Sequence, residues 1–167
     1  MSTQPLLIDN IAFAKRNDHL AGVLSLADCA RLSELLKSQA QDNVIEYSLE
    51  GETNSVGQHF LHLSLRSNLT TFCQRCLEAM PLKLDLNFHY LIGGVDFDHS
   101  EMGDVEDSDD FDLQEASQTM DLIALIEDEI IMAMPIAPAH ESGCAVAVMQ
   151  SGEKPNPFAV LKDLIKS

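Results

Sequence analysis

Four side chains, arranged in two separate pairs, could hold one metal ion. Cys73 and Cys76 stand three positions apart, and His140 and Cys144 stand four positions apart more than sixty residues later. Thiolates and imidazoles bind zinc in tetrahedral sites, and the two pairs together supply the four ligands that such a site needs. A site with four protein ligands has no open position, so the pattern predicts a structural zinc site rather than a catalytic one.

Two strands are expected to carry the first cysteine pair at a hairpin tip. Residues 58–69 alternate between polar and apolar, and residues 82–90 repeat the same period-two pattern. This period is typical of half-buried β-strands, so residues 72–79 between them are predicted to form the tip of an antiparallel hairpin. With a further strand at 43–49, the predicted fold class is α+β, an antiparallel meander sheet packed against two or three helices.

The helices of this fold are recognised by their caps and apolar spacing. Ser25 is a suitable N-cap for one of them, and Pro135 ends another after a regular apolar face. A short strand at 19–24 separates the first two helices. The predicted helices cover residues 9–16, 25–37 and 119–133.

One carboxylate of the last helix falls on its apolar side. A helical wheel places Glu129 inside the apolar arc, between Leu122 and Leu125, and places Asp128 away from it. A buried carboxylate needs a hydrogen-bonding partner or a proton. We therefore expect Glu129 either to pair with an Arg or His of the sheet or to lie at the rim and reach water.

Length and composition indicate one soluble domain. The chain has 167 residues, enough for a sizeable core, and no apolar stretch approaches the roughly 18 residues of a membrane span. Residues 1–9 lack the basic region and apolar run of a secretory signal, so a cytoplasmic protein is expected. In that reducing compartment cysteines are metal ligands or buried thiols, and Cys29 is expected to be a buried thiol. We predict a single domain over 1–167, with an acidic loop at 95–117 and a C-terminal docking tail at 154–167.

The formal net charge of −17 restricts the partners of this chain. It repels a free phosphate backbone and attracts basic proteins. Ten carboxylates and no Lys or Arg lie between Asp96 and Glu115, so the acidic loop is either a solvated insert or a docking surface for a basic protein. Residues 53–77 contain no acid, and any direct contact with RNA is expected there. The side chains proposed for that contact are His59, His62, Arg66 and Arg75.

The tail at 154–167 has the signals of a short last helix. Asn156 is a suitable N-cap, Pro157 suits the first helical position, and Phe158 and Leu161 begin an apolar stripe. A helix of this length is marginal in water. It is therefore expected to dock on its own domain or on a partner.

Four segments of the chain resemble, in their order and separation, those of a known bacterial family. They are Cys73 to Cys76, Asp121 to Ile131, Pro135 to His140, and Lys154 to Leu161. The chain is identified on these segments as a member of the YceD family, the large ribosomal RNA subunit accumulation proteins, with the resemblance running from residue 6 to the C-terminus. The resemblance implies a role in the synthesis, processing or stability of the large-subunit (23S) ribosomal RNA, without catalytic activity.

The resemblance bears on the metal as well. Many members of the family carry further cysteines after the proline segment, in a zinc-ribbon-like arrangement, whereas this chain keeps only His140 and Cys144 there. Two alternatives follow: a structural zinc held by both pairs, or a cysteine pair at the hairpin tip that holds no metal. No other cofactor is expected.

Three functions are compared on these grounds. The first is a non-enzymatic ribosome-biogenesis factor that acts mainly through a ribosomal protein or assembly factor, because the chain is too acidic for a general RNA binder and carries no RNA-binding signature. The alternative is an acidic holding chaperone for a basic large-subunit ribosomal protein. An enzyme is not expected, since Ser142 near His140 has no third orienting group and no oxyanion glycine motif.

Overall fold

The computed structural model describes residues 5–36, 43–93, 111–141 and 144. Within them, a 3₁₀ turn at Leu26–Asp28 follows the second strand. No helix of these residues is long and apolar enough to span a membrane. The elements are β1 (Leu7–Ile8), α1 (Asn10–Lys15), β2 (His19–Ser25), α2 (Ala30–Leu36), β3 (Val44–Thr53), β4 (His59–Phe72), β5 (Ala79–Gly93), β6 (Asp112–Glu115), β7 (Met120–Asp121) and α3 (Leu122–Ala133).

The main sheet has the order β2-β3-β4-β5-β6, and its first four strands form an antiparallel meander. Leu61, Leu63 and Leu65 of β4 are buried, while the residues between them face solvent or its margin. In the register of the sheet, Leu63 lies between Leu49 of β3 and Phe88 of β5. The period-two alternation thus turns one face of the sheet towards the helices, as the sequence predicts.

The helices cover that inner face and complete the core. Phe13 and Ala14 of α1 are buried against β3, where Gly51 leaves room for them. A Cβ at Gly51 would lie 2.8 Å from Ala14 Cα and from Phe13 O, so this close approach requires glycine. Ile126 and Ile130 of α3 are fully buried, and burial of each such side chain stabilises the fold by about 1.5–3 kcal/mol. The predicted α+β class is confirmed, with the CxxC cysteines together at the tip of the β4–β5 hairpin.

Two predicted helices begin later than their sequence patterns indicate. Ser25 caps the 3₁₀ turn, where the Asp28 carboxylate accepts from its N–H at 2.9 Å and from its hydroxyl at 2.6 Å. Cys29, which is buried as predicted, takes φ −110° and ψ 87°, so α2 starts only after it. The last helix starts at Leu122 because Met120 and the residue after it pair with β1.

Part of the predicted acidic loop is a strand. Residues 112–115 form β6, which pairs in parallel with residues 90–93 of β5. The high charge density of this segment predicted an irregular loop. It could not show that the end of β5 offers an edge with which β6 pairs. Of the predicted loop at 95–117, residues 95–110 lie outside the described residues, as does the whole docking tail at 154–167.

Candidate metal centre

The β4–β5 hairpin presents the first cysteine pair at its tip. The turn is closed by two backbone hydrogen bonds, in which Cys73 N donates to Glu78 O and Leu77 N donates to Cys73 O, each at 2.9 Å. Leu77 has a φ of 62°, a left-handed conformation that is uncommon for residues other than glycine. This tight turn brings the side chains of Cys73 and Cys76 to the same side.

The segment after α3 brings the second pair to the same tip. Gln74 N donates to Pro138 O at 2.8 Å, and the guanidinium of Arg75 donates to His140 O at 2.6 Å. Because both acceptors are backbone carbonyls, these bonds fix the course of the chain just before Cys144. They explain how residues so distant in sequence meet at one point.

The four ligand atoms of Cys73, Cys76, His140 and Cys144 lie within 4.8 Å of one another. Cys73 Sγ is 3.5 Å from Cys144 Sγ, and Cys76 Sγ is 3.5 Å from His140 Nδ1. Zinc bonds of about 2.3 Å to sulfur and about 2.0–2.1 Å to nitrogen, at tetrahedral angles, separate neighbouring ligands by roughly 3.5–3.8 Å. The donor set and its spacing therefore fit a tetrahedral Cys3His site, and soft thiolates with an imidazole favour zinc.

The surroundings of Cys73 favour its thiolate. Burial alone opposes ionisation, but the backbone N–H groups of Cys76, His140 and Arg75 donate to the sulfur and lower the pKa of Cys73 to about 5. Of these, Arg75 N donates to Cys73 Sγ at 3.4 Å. The hydrogen bond with Cys76, burial and the neighbouring Cys73 raise the pKa of Cys144 to about 11. Amide donors around one sulfur orient a thiolate and tune it as a ligand.

The buried carboxylate of α3 is Glu127, not the predicted Glu129. Glu127 is 5% exposed, and its Oε1 accepts from the backbone N–H of Arg31 at 2.8 Å and of Leu32 at 3.1 Å. Its Oε2 accepts from Arg31 Nε at 3.2 Å, and the same guanidinium donates to Asp128 at 2.6 Å. Glu127 thus ties α3 to the beginning of α2, and it helps to place the helix from which the chain runs to His140.

Glu129 itself is half-buried, and its partner is a tyrosine. Tyr90 Oη on β5 donates to Glu129 Oε1 at 2.7 Å. The sequence predicted an Arg or His of the sheet, so the partner comes from the expected layer but is of a different type. Burial, followed by the hydrogen bond to Glu129, raises the pKa of Tyr90 above its ordinary value and keeps the hydroxyl protonated as the donor.

Replacing Tyr90→Phe is expected to lower the free energy of unfolding by about 2 kcal/mol, because Glu129 loses a donor in a half-buried position. Urea unfolding followed by circular dichroism measures the change. Glu129→Gln serves as the matched variant, since the amide still offers an oxygen to Tyr90 and should lose less. An unchanged unfolding midpoint for Tyr90→Phe would show that the bond contributes nothing.

Two residues of the predicted RNA-facing set lie on the solvent face of the sheet with acidic partners. Arg66 Nε is 3.2 Å from Asp85, and His62 Nε2 is 2.9 Å from Glu52. The register also places Glu46 opposite Arg66 on β3. Residues 53–77 contain no acid, but the strands beside them supply several, which the composition of this segment alone does not show.

The other predicted contact residues have different positions. Arg75 donates to the His140 carbonyl at the Cys/His cluster, and His59 Nδ1 is 2.9 Å from Thr53 Oγ1. The four basic residues therefore do not form one open cationic patch. Phe158 and Leu161 of the predicted tail lie outside the described residues, as does Ser142, the nucleophile candidate that the sequence argues against.

Comparisons with known proteins agree with the resemblance seen in the sequence. The family model described as "Large ribosomal RNA subunit accumulation protein YceD" matches residues 61–165, well over half of the chain. The chain is also 27% identical to the large ribosomal RNA subunit accumulation protein YceD of Haemophilus influenzae, over 176 aligned positions that cover 96% of this chain and 95% of that protein. No solved structure matches the chain significantly. The matched range contains all four residues of the candidate metal centre.

Proposed function

This chain belongs to the YceD family of large ribosomal RNA subunit accumulation proteins, and from this membership we propose that it supports the synthesis, processing or stability of 23S ribosomal RNA by binding a protein partner. The partner is a ribosomal protein or an assembly factor, and the role is non-enzymatic. The observation that carries the protein-first version is the pairing of basic side chains with carboxylates on the solvent face of the sheet.

The charges of that face argue against a phosphate-binding surface. Protein contacts to a nucleic-acid backbone come mainly from Lys and Arg that are free to neutralise phosphates. Here a phosphate would have to displace Asp85 from Arg66 and Glu52 from His62, against a chain with a net charge of −17. A basic protein meets the opposite situation, because the field of the chain attracts it.

We also propose that zinc is held by Cys73, Cys76, His140 and Cys144 as a structural cofactor. When bound, it would supply a closed tetrahedral centre that holds the segment after α3 on the hairpin tip. The fit of the donor distances supports this assignment. His140 is then a ligand rather than a general base, which is consistent with a non-enzymatic role.

Affinity purification at near-physiological salt tests the protein-first proposal. We expect a ribosomal protein or assembly factor to stay bound after nuclease treatment, because the contact does not depend on RNA. Mobility-shift measurements on naked 23S fragments with the same protein should show weak binding only. Tight, salt-sensitive binding to naked RNA, with no protein retained after nuclease treatment, would overturn the proposal.

The alternative, a holding chaperone, is favoured by one sequence feature, the ten carboxylates between Asp96 and Glu115. A chaperone would bind a single basic ribosomal protein that is not yet in a ribosome. Its complex should be lost in high salt and lost when residues 96–110 are deleted. A biogenesis factor that binds by shape and hydrogen bonds should keep its partner after that deletion.

A further inference from the structure

Among the described residues, one edge of the main sheet is unpaired along most of β5. β5 has 15 residues, and β6 pairs only with its last part, residues 90–93. Between residues 81 and 89, no described residue makes a backbone hydrogen bond with the side of β5 that faces away from β4. An unpaired edge presents rows of N–H and C=O groups that can take up another strand. We call residues 81–89 the β5 edge.

Three of the four inward side chains of the β5 edge are incompletely covered, while the fourth, Leu82, is buried. Leu84, Leu86 and Phe88 pack against the core but are only partly buried. Leu63 and Leu65, on the same face of the neighbouring β4, are almost completely buried. An added strand would lay its own alternate side chains beside the partly buried row and continue the core across this edge.

We propose that the β5 edge binds an extended, Lys- or Arg-containing segment of a partner protein as an additional strand. Backbone hydrogen bonds would supply affinity that does not depend on the sequence of the bound segment. The partly buried side chains of Leu84, Leu86 and Phe88 would select apolar residues at alternate positions of that segment. This inference rests on the proposed function, since it assumes that the partner is a protein, and it adds where and how that partner binds.

Carboxylates near one end of the edge favour a basic segment. Asp112 of β6 lies opposite Tyr90 in register, and Glu129 of α3 is 2.7 Å from the Tyr90 hydroxyl. Lys83 is exposed towards the other end, so the basic residues of the partner are expected nearest β6. The net charge of −17 adds long-range attraction for a basic partner, and it repels a second copy of this chain.

Hydrogen exchange of the full-length wild-type protein tests the proposal without any substitution. The probe is a synthetic peptide of about nine residues that alternates Lys with Val, a length that matches the β5 edge. We expect the alternate amides of residues 83–89 that point away from β4 to exchange roughly tenfold more slowly with the peptide present, because ladder hydrogen bonds to the peptide protect them. Protection should weaken as salt is raised.

Two control peptides separate strand addition from charge attraction. The first alternates Glu with Val, and it should give no protection because the like charges repel. The second keeps the Lys residues but has Pro at every second apolar position, so it cannot complete a ladder. Equal protection by either control would overturn the proposal, as would protection of β2 in place of β5.

A pair of charge-reversal variants locates the basic end of the added strand. Asp112→Lys is exposed and close to the β5 edge, and it is expected to weaken binding of the Lys-Val peptide about three- to tenfold. Glu50→Lys makes the same charge change on the solvent face of β3, away from the β5 edge. It should weaken binding of the Lys-Val peptide less than Asp112→Lys does. An equal effect of the two variants would show that only overall charge matters, and it would overturn the assignment to this edge.

Other occupants of the edge give distinct results. If the amides of residues 83–89 that point away from β4 are already protected in the free monomer, the chain covers its own edge. If their protection rises with protein concentration alone, a second copy covers it. Either result overturns the proposal. A partner retained in the affinity experiment that leaves these amides unprotected overturns the β5 edge but spares the proposed function. If the peptide binds at the β5 edge but the affinity experiment retains no protein partner, the proposed function is overturned and strand addition at the edge is supported.

Discussion

Cys76→Ser is expected to abolish stoichiometric zinc binding and to lower the free energy of unfolding by about 4 kcal/mol. The magnitude follows from linkage, because a ligand that binds only the folded state stabilises it by about this amount when its free concentration is about 1,000 times its Kd. Removing one of four ligands leaves a site that can no longer close around the ion. Elemental analysis of the purified protein gives the zinc content, and thermal and urea unfolding give the stability.

Cys29, the one cysteine outside the Cys/His cluster, provides the matched control for this experiment. Cys29 is fully buried away from the cluster, and burial, with smaller effects from Glu127 and Asp28, raises its pKa to about 12. Cys29→Ala should therefore keep one zinc per chain. Wild-type protein that purifies without zinc, and that unfolds identically with and without a chelator, would contradict the metal assignment and leave an empty cysteine cluster.

Glu127→Ala is expected to lower the free energy of unfolding by about 3 kcal/mol. The change leaves the buried N–H group of Leu32 and the partly buried N–H group of Arg31 without an acceptor, and a buried unpaired group costs about 1–3 kcal/mol. The ion pair with Arg31 contributes less, because that side chain is 50% exposed and screened by water. Urea unfolding monitored by circular dichroism measures the loss.

Two variants show whether the carboxylate acts through those amides. Asp128→Ala removes the exposed partner of Arg31 and should cost only about 0–1 kcal/mol. Glu127→Gln keeps one oxygen that can accept from the amides, so it should lie between the alanine variant and wild type. Similar losses for Asp128→Ala and Glu127→Ala would mean that the surface ion pair, not the capping of α2, stabilises this contact.

The meander and the four members of the Cys/His cluster could be predicted because their signals are local. The alternation in β4 and β5 reports burial directly, residue by residue, so the hairpin and its CxxC tip follow from neighbouring positions. The four ligand residues are rare types with a restricted chemistry, and the structure brings them together. The two pairs meet only because Gln74 donates to the Pro138 carbonyl and Arg75 donates to the His140 carbonyl. No local sequence pattern shows these two hydrogen bonds.

Features that depend on distant elements could not be predicted in this way. A helical wheel of α3 shows only the direction of each side chain, whereas the burial of Glu127 depends on where the beginning of α2 lies. The strand β6 forms because β5 offers an edge beside it, and its own sequence is dominated by polar and acidic residues. The partner of Glu129 also depends on how α3 lies against β5, because that packing brings the Tyr90 hydroxyl to the Glu129 carboxylate.

The cysteines at the tip also define a closed ring of chain. Cys73 and Cys144 are 71 positions apart, so the proposed zinc would join the ends of a loop that contains β5, β6, β7 and α3. The entropy of closing such a loop grows only with the logarithm of its length, by about 0.6 kcal/mol for each doubling. Insertions or deletions between residues 94 and 110 therefore change the stability of the ring very little. By the closure entropy alone, a longer or shorter chain between β5 and β6 costs a zinc-closed ring little.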